Sequence, residues 1–471
     1  MSFWYRNGVC SNNRHSHRPS NIRVRHAAGA LSILCGVGVV AHAQDAQLSG
    51  LTARLDISQR LEYSDNPDLE AEADSDFFGR TVLDFGLESV TALETFTFNI
   101  GTDIEEMRDD QSTLDLTNPI MRLRYDRATD AANIGFSLRY QESDVSSSFF
   151  SDDFPIDGNV IEQDTGTRQS YGYALNGAFG LNAPLGAAYD FRRDEIRYLD
   201  SDDPGLVDQT RDNFSGEVNF RIDPRITARL TGKYINQDYH GDGVDRRTTG
   251  YGLGALLDVT PRLVADLSIS QDEIELTGDD NRTEEGLTFG AELTRQVPNG
   301  TIGLSAASEV TSNGRREFLS LTRDMELLRG SLAFTAGLTN SETAGTDPLF
   351  DVSYLHRLST SSFTLGLSQT VTSDSDNQED INTTFRANYD YQINSLSSLT
   401  AGATLFDRNA LGEDASDGRR LDLSLSYRYA LTRDWGLVNG FTHQISSSDT
   451  EDTRTSNTVF IGLERSFLWR P

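Results

Sequence analysis

Three histidines, His240, His356 and His443, are the only ones beyond residue 43. Nucleophilic hydrolysis needs a serine or cysteine, a histidine within hydrogen-bond reach and a group that orients the ring. THQISSSD brings His443 near Ser446, Ser447 and Ser448, and YHGDGVD brings His240 near Asp242 and Asp245. Neighbours along a strand and its loop do not define a triad, which is recognised by geometry, and HGDG reads more simply as a tight turn. Both cysteines, Cys10 and Cys35, lie in the first 43 residues, so the rest of the chain has neither thiol chemistry nor disulfides. DSDD (200–203) and DSDNQED (374–380) cluster hard oxygen ligands suited to Ca²⁺ or Mg²⁺. Neither has the EF-hand spacing, so they read as solvated, mutually repulsive loops that gather divalent cations weakly. No catalytic, cofactor-binding or metal-ligating residue is assigned, no cofactor is expected, and the chain is not read as an enzyme.

The elements that would carry any site begin with a leader. Residues 1–43 combine five arginines and no acid with the apolar run AAGALSILCGVGVV and an A-x-A site at Ala41 and Ala43. That is the grammar of a secretory signal peptide, removed after Sec-type export. The apolar run is short for a span of about 20 residues. Beyond the leader no segment is apolar enough for a transmembrane helix, and 72 acidic residues stand against 41 basic ones, five of them in the leader. Such a balance excludes nucleic acid as a partner, because phosphate recognition needs basic patches.

Acidity of this kind can mean disorder, but period-two patterning argues otherwise. In LTARLDISQRLEY, Leu51, Ala53, Leu55, Ile57, Leu61 and Tyr63 share one face, and Arg54, Asp56, Ser58, Arg60 and Glu62 the other. In RLDLSLSYRYAL, Leu421 to Tyr429 at odd positions oppose Asp422, Ser424, Ser426 and Arg428. Strands with one apolar and one polar face follow. The connections alternate along the chain: short ones such as TALE, DPR, TPR and VPNG, then long acid-rich ones such as 64–76, 143–166 and 200–210. Short turns at one end and long loops at the other are the layout of an outer-membrane barrel. Ten short turns and eleven longer loops, TSNGRR (311–316) among them, predict 22 strands, with 18 to 20 as the alternative if FLSLTRDMELLRG forms a short helix.

The expectation is an all-β, antiparallel up-and-down transmembrane barrel over residues 51–471. A short periplasmic segment precedes it at 44–50, and there is no separate plug domain. The polar register then faces the lumen, with Arg54, Asp56, Arg60, Glu62, Arg221, Arg386, Asp390 and Arg428 as its charges. Trp435 and Trp469 fall at the short-turn ends of adjacent strands, the depth of an aromatic girdle. FFSDDFPIDG within 143–166 is either a constriction loop folded into the lumen or an extracellular flap.

The final segment, NTVFIGLERSFLWRP, resembles the C-terminal targeting strand of Gram-negative outer-membrane proteins, with Gly462, Phe467 and Trp469 in the matching places. It departs from that signal at Arg465 and in continuing to Pro471. The opening SQRLEYSDNPDLEAEADSDFFGRTVLDFGLES, with Asp65, Asn66, Asp74 and Asp76, resembles the start of the β-barrel porin 2 family. The resemblance implies an outer-membrane barrel, in some members associated with exopolysaccharide secretion, and transfers no catalytic residue. The strand count also resembles TonB-dependent receptors, which carry a large plug domain ahead of the barrel. Two functions stay open: a porin-like channel for small solutes or for exopolysaccharide export, and a non-conducting structural or interaction barrel with acidic loops. An outer-membrane hydrolase is the remaining alternative. The implied partners are outer-membrane lipid and lipopolysaccharide, the barrel assembly machinery, and exopolysaccharide export components.

Overall fold

The computed structural model describes residues 50–106, 114–145, 166–201, 206–241, 243–278, 281–342, 345–373, 378–411, 417–449 and 452–470. The leader, most of the 44–50 segment, the FFSDDFPIDG stretch and the centre of each acidic cluster lie outside these residues. What is described is one closed, antiparallel, 22-stranded barrel in which every strand pairs with its sequence neighbours. No described helix is long and apolar enough to cross a membrane.

β1 (Gly50–Ser64) pairs with β2 (Asp76–Val90), and β22 (Arg454–Trp469) returns to pair with β1. The closing register sets Ala53 opposite Trp469 and Ser64 opposite Thr458, so no edge strand remains. Between them run β3 (Glu94–Glu106), β4 (Leu114–Ala128), β5 (Ala132–Asp144), β6 (Thr167–Phe179), β7 (Leu185–Leu199) and β8 (Gln209–Asp223). Then follow β9 (Ile226–Tyr239), β10 (Asp245–Thr260), β11 (Leu263–Thr277), β12 (Arg282–Val297), β13 (Gly300–Thr311), β14 (Gly314–Leu327) and β15 (Gly330–Ser341). The wall is completed by β16 (Gly345–Arg357), β17 (Ser361–Ser373), β18 (Glu379–Gln392), β19 (Ser397–Ala410), β20 (Gly418–Ala430) and β21 (Trp435–Ser448). Each strand exceeds the roughly 9–11 residues that a tilted crossing requires. The wall therefore extends past the hydrocarbon.

The upper count of 22 strands is the observed one. FLSLTRDMELLRG is strand, not helix: Leu319 and Leu321 are exposed, Ser320 lies between them, and both neighbouring strands pair along its length. TSNGRR differs from the expected long loop. It is a tight connection in which Thr311 Oγ1 donates to the Gly314 carbonyl at 2.9 Å. At the opposite end, VPNG turns on Gly300 (φ 132°), where a Cβ would lie 2.0 Å from the Asp324 carbonyl oxygen.

The barrel is apolar outside and polar inside. Leu61 and Tyr63 are 50% and 46% exposed, whereas Glu62 between them is 5% exposed. Leu253, Leu304, Leu319, Leu425 and Ile461 continue the exposed apolar band round the wall. Among the described residues, buried polar and charged side chains outnumber buried apolar ones, the reverse of a soluble domain.

The first hairpin locks the seam. The Asp65 carboxylate accepts from the Asn457 backbone N–H at 2.6 Å and from its side-chain amide at 2.8 Å. Asn66 closes its own loop on Glu70 and also donates to the Thr455 carbonyl at 3.1 Å.

Candidate functional site

The inner wall is the part of the molecule with chemistry on it. Its sidedness follows from contacts that skip a strand. Arg139 on β5 reaches Asp194 on β7 at 3.2 Å, over Gly172 of β6. Lys233 on β9 reaches Asp272 on β11 at 2.9 Å, over Gly250 of β10. Arg229 and Asp266 repeat this beside Gly254, and Arg428 reaches Glu464 across β21, where Val438 stands opposite Arg428 and Gly436 opposite Glu464. A Cβ on Gly250 would lie 2.3 Å from Asp272 Oδ1 and 2.7 Å from Lys233 Cε, so this bridge needs the glycine beneath it. Side chains can meet across an intervening strand in this way on the concave face of a closed sheet, which makes the polar register the interior.

The eight charges expected in the lumen all lie on that register. Arg54 pairs with Asp56 at 2.5 Å. Glu62 faces the Arg80 guanidinium at 3.6 Å, and Arg80 also reaches Asp103 at 3.5 Å and Glu105 at 2.6 Å. Arg60 donates to Ser58 Oγ at 3.2 Å and lies 4.9 Å from the centre of the Phe460 ring. Arg221 donates to the Leu181 carbonyl at 3.4 Å, beside a short turn. Asp390 accepts from Ser362 and Thr400 hydroxyls, each at 3.2 Å. Arg386 sits between Gly366 and Thr404. Sequence reading missed the Arg80 hub and the glycine bridges. The signal for the latter was available in TTGYGLGALL, where Gly250, Gly252 and Gly254 share the polar register.

A different arrangement marks the long-loop mouth. Arg316 on β14 and Glu379 at the start of β18 form an ion pair four strands apart, and Ser341 Oγ of β15 donates to the same carboxylate at 2.8 Å. Both charged side chains are almost fully buried. Beside them Arg408 pairs with Asp380 at 3.2 Å.

At the other end, Arg465 opposes Trp435 in the β21–β22 register. It occupies an outward position, and the aromatic neighbours explain how it is accommodated. Its guanidinium lies 5.3 Å from the Trp435 ring centre and 4.5 Å from that of Phe467, a cation–π arrangement. Phe467 stacks in turn on Trp469, with centroids 5.9 Å apart and planes at 7°. Gly462 packs against Arg60, where a Cβ would fall 2.5 Å from the Gln59 carbonyl oxygen. The last strand thus carries a basic residue on its outer face without leaving it bare.

The hydrolase candidates do not assemble. His443 faces outward beside Phe441, and its Nδ1 lies 2.8 Å from Asn457 Oδ1. Ser446 is on the opposite register and 1% exposed; Ser447 shares the face of His443 but stands four residues away, about 13 Å along the strand. His240 meets Thr210 Oγ1 at 3.2 Å, Asp245 accepts from the Tyr239 N–H at 2.8 Å, and Asp242 lies outside the described residues. Among the described residues no three His, Cys, Asp or Glu side chains group as a metal site.

No family model and no curated protein matches the sequence. Solved structures do match in shape. The ferric enterobactin receptor of Pseudomonas aeruginosa is 10% identical, with a TM-score of 0.53, covering 89% of this chain and 82% of its own. The FrpB iron transporter of Neisseria meningitidis is 8% identical, with a TM-score of 0.56, over 89% and 81%. The ferric-catecholate import receptor Fiu of E. coli K12 is 11% identical, with a TM-score of 0.53, over 90% and 82%. At such identities the likeness is one of fold: the protein is a β-barrel of the outer-membrane type.

Proposed function

We propose that the barrel is a porin-like channel that lets small polar solutes cross the outer membrane. The observation that carries this reading is the lie of the ion pairs. Arg139–Asp194, Lys233–Asp272, Arg229–Asp266 and Arg428–Glu464 run along the wall, so these charges neutralise one another without projecting into the centre. The Arg316–Glu379 pair lies at the long-loop mouth, and we assign it as the narrowing that filters solutes. Because carboxylates outnumber cations across the chain, the mouth concentrates cations, and salt screens that preference.

Planar-bilayer recording tests this. Purified, folded barrel is expected to give discrete current steps, with reversal potentials under a salt gradient showing modest cation preference. Absence of steps from well-folded protein replaces the channel with a structural or interaction barrel, and anion preference removes the assigned selectivity.

Passage of saccharides, including exopolysaccharide, is the second reading, and one stretch of wall favours it. The inward positions of β15 and β17 carry Ser331, Thr335, Thr339 and Ser341, then Ser362, Thr364, Ser368 and Thr370, with Asp347 and Asp351 of β16 as the charges between them. Hydroxyl groups of this kind suit a neutral polyhydroxylated solute. Current block by a neutral oligosaccharide at millimolar concentration would support that route, and indifference to it would leave the small-solute channel alone.

A further inference from the structure

The outer wall carries a notch across β11 to β15. Register places Leu267, Ala291, Ala306, Leu319 and Leu338 side by side across β11 to β15, all on the outward face. Two alanines are therefore flanked by leucines, and Leu293 and Leu304, both exposed, close the row below. The result is a groove of about 690 Å³. It runs obliquely from mid-wall at Leu267 to the long-loop end, where Glu317, Asn340 and Thr346 line it.

A cation stands at that end. Arg315 donates to Ser308 Oγ at 2.8 Å and to the Leu287 carbonyl at 3.0 Å, and has no carboxylate partner among the described residues. Other outward arginines near the long-loop end are paired: Arg193 with Asp212 at 3.2 Å, Arg247 with Glu275 at 3.3 Å, and Arg419 with Asp407 at 2.7 Å. Arg315 is thus held in place by neutral groups above an apolar slot, with Glu317 two residues away on the same face but not in an ion pair with it.

The geometry points to a lipopolysaccharide site on this face, with one acyl chain lying over Ala291 and Ala306 and a phosphate on Arg315. Three physical points commit the groove to that occupant. It is continuous with the lipid-facing band, so hydrocarbon covers it. A slot of this size that lipid left empty would forfeit van der Waals contact along both walls. It opens at the long-loop end, which in an outer-membrane barrel is the extracellular leaflet, where the lipid is lipopolysaccharide. Arg is the side chain suited to phosphate. Glu317 shares the mouth, so a divalent cation that neutralises it strengthens the binding.

The test does not depend on whether the lumen conducts. The full barrel is extracted from outer membranes in mild detergent, and bound lipid is counted by native mass spectrometry, with folding checked by heat-modifiable migration. About one lipopolysaccharide per barrel is expected. Ala306→Phe, which fills the slot, and Arg315→Gln, which removes the cation, should each lower its retention about tenfold, while Ala403→Phe on the outer face of β19, remote from the groove, leaves it intact. Chelating divalent cations should weaken retention further. A photoreactive side chain at Leu319 should crosslink lipopolysaccharide in cells, which keeps the test open if a groove variant folds poorly. Folded Ala306→Phe barrel that keeps its lipopolysaccharide, or wild-type barrel that keeps only glycerophospholipid or no lipid, overturns the site.

Discussion

Leu423 and Ser424 are consecutive residues near the middle of β20, and the whole assignment of inside and outside can be tested on them. Leu423 is 39% exposed and lies between Ala403 and His443; Ser424 lies between Gly402 and Thr442. Leu423→Arg puts a guanidinium into hydrocarbon close to the bilayer midplane, which costs about 2–4 kcal/mol on the lipid face of a barrel. At about 1.4 kcal/mol per factor of ten, the folding equilibrium falls roughly 30- to 1,000-fold. No carboxylate stands directly opposite to offset the charge. Ser424→Arg puts the same charge on the inner wall, where Gly402 leaves room and Asp422 shares the face two residues away. Its cost should stay below about 1 kcal/mol, as for a solvated pair. Urea unfolding in phosphatidylcholine vesicles, followed by the fluorescence of Trp435 and Trp469, measures both. Equal losses, or a larger loss at Ser424, would refute the assignment of faces.

Four further outcomes are expected. Deleting residues 457–471 removes most of β22 and should abolish assembly; folded truncated barrel at wild-type levels in outer-membrane fractions would count against this. Gly250→Val should separate Lys233 from Asp272 and leave a nearly buried carboxylate unpaired, costing about 3–5 kcal/mol by the same urea assay; an unchanged midpoint would show that the bridge does not form. Arg465→Ala should cost about 0.5–2 kcal/mol and shift Trp435 emission, and an unaltered spectrum would deny the stacking. Partial burial, and then the charges of Asp144, Glu70 and Asp76, raise the Asp68 carboxyl above its ordinary range. Loop 65–75 is therefore favoured at low pH and loosens as pH rises through that raised value. A nitroxide at Ala71 should become more mobile over the same rise, a change that Asp68→Asn abolishes; mobility that is independent of pH would contradict it.

Strand count and sidedness were legible in the sequence because both depend on short-range signals. Alternation in LTARLDISQRLEY and RLDLSLSYRYAL needs only neighbouring residues, and the turn chemistry of VPNG, DPR and TPR is local. The ambiguity at 318–330 arose because Leu327 and Leu328 interrupt the alternation of FLSLTRDMELLRG, and pairing to β13 and β15 settles it. The partners of lumenal charges were not legible. Arg316 and Glu379 are 63 residues apart and Arg139 and Asp194 are 55 apart, and nothing local says which strands the ring brings face to face. The groove at Ala291 and Ala306 was hidden for the same reason, since alanine on an outward strand position is unremarkable until Leu267, Leu319 and Leu338 fall beside it.

The clasp of Asp65 and Asn66 on β22 bears on a fault that alternation cannot prevent. A slip of one residue between the first and last strands would turn a row of leucines to the wrong side and so penalises itself. A slip of two keeps every side chain on its proper face and alters only the stagger at which the ring closes, and with it the tilt of all the strands. Hydrophobic pattern is blind to that error. In a ring slipped by two, Asp65 would stand opposite Thr455 or Val459, neither of which has the side-chain amide that Asn457 offers. A pair of polar residues at one corner thus acts as an index mark for the circumference, selecting one barrel from a family of near-equivalent ones at the moment the last strand meets the first.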